Sequence, residues 1–94
     1  MALYKIEWKQ SAKKELKKLD KSIIPKIINI VEKLSENPYP SGSRKILGAK
    51  NTFRIRTGDY RIIYSVFHDI LLIQIVRLGH RQRIYKVLRH DKLP

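Results

Sequence analysis

Polar and apolar residues alternate from Leu3 to Trp8, with Tyr4, Ile6 and Trp8 on one side and Lys5 and Glu7 on the other. That period of two predicts a half-buried strand. The period then lengthens. Ser11 is placed to cap a helix in which Ala12, Leu16 and Leu19 recur at helical spacing, while Lys13, Lys14, Lys17 and Lys18 fill the opposite side. Asp20-Lys21-Ser22 interrupts it, and Ser22 is a candidate cap for a second helix with Pro25 in its first turn. Ile23, Ile24, Ile27, Ile28, Ile30, Val31 and Leu34 form a wide apolar stripe on this helix, its expected contribution to the core. The segment from Asn37 to Ser43, with Pro38, Pro40 and Gly42, reads as a loop.

The second half alternates again. Thr52 to Thr57 and Tyr60 to Phe67 are predicted strands joined by a two-residue turn, Gly58-Asp59, of the type with glycine first. His68-Asp69 is a weaker turn signal before a strand from Ile70 to Leu78. Gly79 is expected to end that strand, and His80 to Leu88 to form a last short helix. The predicted order is β-α-α-β-β-β-α over a single domain, residues 1–94: an α+β fold with two N-terminal helices packed on a small antiparallel sheet.

Turn lengths carry this to register. With Gly58-Asp59 as the whole loop, Thr57 faces Tyr60, Arg56 faces Arg61, Ile55 faces Ile62 and Phe53 faces Tyr64. Directly opposed residues share a face. Phe53, Ile55, Ile62, Tyr64 and Val66 then lie on one side, and Arg54, Arg56 and Arg61 on the other. A two-residue turn at His68-Asp69 pairs Val66 with Leu71, Tyr64 with Ile73 and Ile62 with Ile75, all on the apolar side. It leaves Ile63, Leu72, Val76 and Leu78 beside Gln74 on the basic side, where the C-terminal segment is the expected cover.

Charge sharpens the picture. The 94 residues hold 21 Lys and Arg against 8 Asp and Glu, a net charge of +13. A polyanion neutralises such an excess best, so nucleic acid or the ribosome is the expected partner, with an acidic protein able to use the same surface. The chain has no cysteine, which removes disulfides, thiolate metal sites and a cysteine nucleophile. It has neither a signal-peptide pattern at its start nor an apolar run long enough to span a bilayer, so a soluble, cytoplasmic protein without membrane contact is expected.

Arginines on adjacent strands, with no acidic residue on that face between residues 52 and 66 other than Asp59 at the turn, suit a phosphodiester. Guanidinium groups neutralise it through forked hydrogen bonds and stabilise charge that develops when a 2′-hydroxyl attacks the adjacent phosphate. No metal or other cofactor is needed for that route, and no phosphate loop, metal-ligand spacing or nucleophile elbow is present. His80, with Arg81 and Arg83 beside it, suits general acid or base work, and Tyr85 offers a ring for a base to stack on. His68 reads as a turn residue, His90 as part of the tail, and Tyr39 as structural.

The stretch Phe53-Arg54-Ile55-Arg56-Thr57-Gly58-Asp59-Tyr60-Arg61-Ile62-Ile63-Tyr64, followed by Val76-Arg77-Leu78-Gly79-His80-Arg81 and Tyr85, resembles the RelE branch of the RelE/ParE toxin superfamily. The resemblance implies a RelE-like fold and a toxin of a type II toxin–antitoxin system. Such a toxin enters the ribosomal A site and cleaves the mRNA there by 2′-hydroxyl attack, inhibiting translation. It implies a cognate antitoxin as partner, with operator DNA reached only through that antitoxin. It assigns Arg54 and Arg56 to holding the phosphate and activating the 2′-hydroxyl, Arg61 to the transition state, Arg81 to the leaving group and Tyr85 to base stacking. Lys13, Lys14, Lys17, Lys18 and Arg83 are the expected contacts to RNA or ribosome. Arginine is a poor base, which shifts proton transfer toward His80. The alternative is a ParE-like inhibitor of DNA gyrase without nuclease activity.

Overall fold

The computed structural model describes residues 3–80. The elements run β1 (Lys5–Trp8), α1 (Gln10–Lys17), α2 (Ile24–Leu34), β2 (Ser43–Lys45), β3 (Thr52–Thr57), β4 (Tyr60–Phe67) and β5 (Leu72–His80), with one turn of 3-10 helix at His68–Ile70 between the last two strands. The sheet order is β1-β5-β4-β3-β2. It is antiparallel except at its edge, where β1 runs parallel to β5. No hairpin ties those two strands, so their relative direction is free of turn geometry. The expected last helix at 80–88 lies, apart from His80, outside the described residues, and His80 itself closes β5.

The apolar stripes meet as their periods require. Ala12, Ile27, Val31 and Leu34 from the helices pack with Ile55, Ile62, Tyr64, Val66, Ile73, Ile75 and Leu78 from the sheet. The Tyr64 hydroxyl donates to the Pro38 carbonyl at 2.7 Å, pinning the start of the α2–β2 connection to the core. The β1 end of the sheet is tied by His68, whose two ring nitrogens meet the hydroxyls of Tyr4 and Tyr39. Tyr39 also stands edge-on to Phe53, so the structural role expected of it holds.

Burial pushes the Tyr64 phenol from 10.0 up to about 12. A raised folded value means stability is fully present below pH 10 and is lost as pH rises toward 12. Tyr64→Phe should therefore weaken the fold by about 1–2 kcal/mol at neutral pH, through the orphaned Pro38 carbonyl. The variant should also flatten the alkaline decline, and denaturant melts across pH 7–12 check both effects.

Register departs from expectation in two ways, both at β5. The β4–β5 connection is two residues longer than a tight turn, with Leu71 in the left-handed region at φ 50°, so Val66 faces Ile73 and Tyr64 faces Ile75. A shift of two preserves faces, and Ile73 and Ile75 stay in the core. Beyond it a bulge intervenes: Tyr64 faces Ile75 but Ile63 faces Arg77, leaving Val76 as an extra residue. A shift of one reverses faces. Leu78 thus enters the core opposite Ile62, 1% exposed, instead of standing on the basic face.

A bulge leaves backbone groups without ladder partners, and α1 supplies them. The Ser11 hydroxyl donates to the Val76 carbonyl at 2.8 Å, and the Leu78 N–H donates to Glu15 Oε1 at 3.0 Å. Ser11 and Glu15 are one turn apart and share a helix face. Ser11 does not cap α1 as expected: the helix begins at Gln10 with Lys9 at the cap position, and the Ser11 hydroxyl is spent on the sheet. Ser22 likewise does not cap α2, whose N-terminal boundary is Ile23 with Pro25 in the first turn.

Candidate RNA-cleavage face

The β3–β4 hairpin has the register its two-residue turn dictates, with Arg56 opposite Arg61 and Arg54 opposite Ile63. Gly58 takes φ 58°, the positive value that this turn demands at its first position. Arg54, Arg56 and Arg61 therefore share the sheet face turned away from the helices.

A fourth arginine joins them. Residues 43–45 form β2 rather than loop, and Arg44 lies directly opposite Arg54. Two arginine pairs, Arg44 with Arg54 and Arg56 with Arg61, thus face each other across three adjacent strands. Opposed side chains on neighbouring strands have Cβ atoms about 4.5–5.5 Å apart, and diagonal ones about 7–8 Å. Guanidinium groups on such stems can converge on one phosphate. Like charges in these positions destabilise a sheet unless an anion lies between them.

The face is graded in depth. Arg61 is 4% exposed and lies beside buried Ile63, Arg54 is half-buried, and Arg56 and Arg44 are open to solvent. Burying a guanidinium as deeply as that of Arg61 costs free energy unless its charge and N–H groups are met by acceptors or an anion. Across from Arg61 on β5 stands Gly79, so no side chain fills the neighbouring position. Arg44, Arg54 and Arg56 make no ion pair with a carboxylate among the described residues, where Glu15 pairs with Arg77 at 3.5 Å.

His80 is not brought to this face. It faces Tyr60 across β5–β4, and the two rings stand edge to face with centroids 6.0 Å apart. Tyr60 belongs to the helix side with Ile62 and Tyr64, so the bulge that carries Leu78 inward also carries His80 away from the arginines. Arg81, Arg83 and Tyr85 lie outside the described residues. The four lysines are all exposed but divide: Lys13 borders a groove with Trp8 and Ile28, whereas Lys14 and Lys18 border a cleft with Tyr60 and His80. Among the described residues no group of three or more His, Asp or Glu gathers as metal ligands, and no helix is long and apolar enough to cross a membrane.

Helices on one face of a small sheet and arginines on the other are the architecture of a class of small basic toxins. A family model described as the ParE toxin of a type II toxin–antitoxin system, parDE, matches residues 6–85. The chain belongs to the RelE/ParE superfamily of type II toxin–antitoxin toxins. It is similar to a putative RelE-like toxin protein of Escherichia coli, 33% identical over 82 residues and 85% of each chain. It is also similar to a putative toxin RelE1 of Methanocaldococcus jannaschii, 29% identical over 86 residues, 88% of this chain and 96% of the relative. Among solved structures, the archaeal RelE–RelB complex from Pyrococcus horikoshii matches with TM-score 0.76 and 30% identity, covering 88% of this chain and 99% of that one. Free E. coli RelE matches with TM-score 0.77 at 19% identity, over 97% and 99%, a likeness of fold. These relatives are RelE proteins, so the ParE-like alternative is not favoured.

Proposed function

We propose that this toxin is a ribosome-directed endoribonuclease that cuts mRNA in the A site by 2′-hydroxyl attack. The observation that carries the reading is the pair of opposed arginine pairs on one sheet face. Buried Arg61 stabilises charge on the phosphorane, while Arg54 and Arg56 hold the phosphate and lower the cost of ionising the 2′-hydroxyl. Arg81 protonates or clamps the leaving group and Tyr85 stacks on a base, roles that rest on the resemblance. With its ring on the helix side, His80 takes no part in proton transfer in this reading. The 2′-hydroxyl gives its proton to solvent as its oxygen bonds to phosphorus, the bond from phosphorus to the 5′-oxygen breaks and that oxygen takes up a proton, so the route yields a 2′,3′-cyclic phosphate and a 5′-hydroxyl without a metal.

A cognate antitoxin is the expected partner, as in the solved RelE–RelB complexes, with operator DNA contacted only through it. Primer extension on mRNA translated in a cytoplasmic extract tests the reading: new 5′ ends inside codons support it, and intact message with inhibited gyrase refutes it. Arg44 supplies a further prediction. It is exposed and paired with Arg54, so Arg44→Ala should slow cleavage by about tenfold, less than the loss at buried Arg61. Cleavage rates at saturating ribosomes would check the ranking.

A further inference from the structure

On the helix side, the C-terminal end of β5 and the C-terminal half of α1 enclose a cleft of about 620 Å³. That lies within the roughly 300–1,000 Å³ typical of small-ligand sites. Lys14 and Lys18, one helical turn apart, line one wall, Tyr60 and His80 the other, and Asp20 stands at the rim. The arginine face does not reach it, since Arg61 points to the opposite side of the sheet from Tyr60.

We infer that this cleft binds one unpaired nucleotide of RNA, with its base on Tyr60 and His80 and its phosphate on Lys14 and Lys18. The edge-to-face contact of the two rings, 6.0 Å between centroids, sets them nearly perpendicular, so a base that stacks on one ring meets the edge of the other. Arg77 pairs with Glu15, which also accepts from the Leu78 N–H, so the lysines carry the excess positive charge of the cleft. The Asp20 carboxylate provides an acceptor for the amino groups of a base edge, and unstacked RNA bases are recognised by this union of stacking and edge contacts. The bulge in β5 creates the site, because it turns His80 toward Tyr60. The second RNA subsite therefore lies across the sheet from the face proposed to cut.

Fluorescence anisotropy with a short labelled 2′-O-methyl RNA tests this independently of cleavage, because methylation removes the attacking hydroxyl. The same oligonucleotide with a single abasic position is the companion probe. The native chain should bind the intact RNA about tenfold more tightly than the abasic one. Tyr60→Leu and His80→Leu should erase that preference, and Lys14→Gln with Lys18→Gln should weaken both probes and lower the salt dependence. His80 is exposed, so its variant keeps the test decisive even where Tyr60→Leu disturbs folding. Equal binding of the two probes by the native chain, or a preference that survives His80→Leu, overturns the inference. So does loss of poly-glutamate binding in these variants with RNA binding unchanged, which would give the cleft to an acidic protein.

Discussion

Arg61→Ala is expected to reduce mRNA cleavage by about 10²–10³ while leaving the melting temperature of the domain close to that of the native chain. The magnitude is that of removing one donor from a developing oxyanion. Among the described arginines Arg61 is the buried one, 4% exposed, opposite Gly79 on one side and Arg56 on the other. Arg61→Lys should recover only part of the rate, since an ammonium restores the charge but not the forked geometry. Single-turnover rates separate this loss from weaker docking. A fall in apparent affinity with an unchanged rate would assign Arg61 to ribosome binding.

Leu78→Ala should destabilise the domain by about 2–5 kcal/mol, the usual range for a fully buried leucine. For a domain of this size that lowers the melting temperature by at least about 10 °C. Val76→Ala, two residues earlier and only half-buried, should cost much less. The contrast follows from the bulge alone: without it both residues stand on the basic face and their truncations cost alike. Thermal melts of the two variants measure it. A cheap Leu78→Ala would mean that β5 runs straight past Tyr64, and that His80 is back among the arginines.

The β3–β4 hairpin was legible in full, because Gly58-Asp59 leaves one register and hydrophobic alternation leaves one choice of face. The faces of Ile73 and Ile75 were legible even though the length of the turn before them was misjudged, since an even shift preserves alternation. The bulge was not. A one-residue insertion carries no composition of its own, and its trace here was the discomfort of placing Leu78 on a charged face. That discomfort, followed through, would also have moved His80. Strand β2 was hidden by its brevity: Ser43–Lys45 is three residues long and follows Pro40 and Gly42, which argue for loop. Pairing with β3 supplies what local propensity does not, and Arg44 was missed with it. Ser11 had the chemistry of a cap, but the unpaired carbonyl of Val76 took its hydroxyl instead, a long-range competition that local sequence does not reveal.

Primer extension on a defined mRNA held by ribosomes with an empty A site, comparing the native protein with Arg54→Ala/Arg61→Ala, probes the arginine face most directly. The native protein should produce new 5′ ends within the A-site codon, and the folded double variant should produce none. Ends of equal intensity from both proteins would contradict the assignment of cleavage to this face.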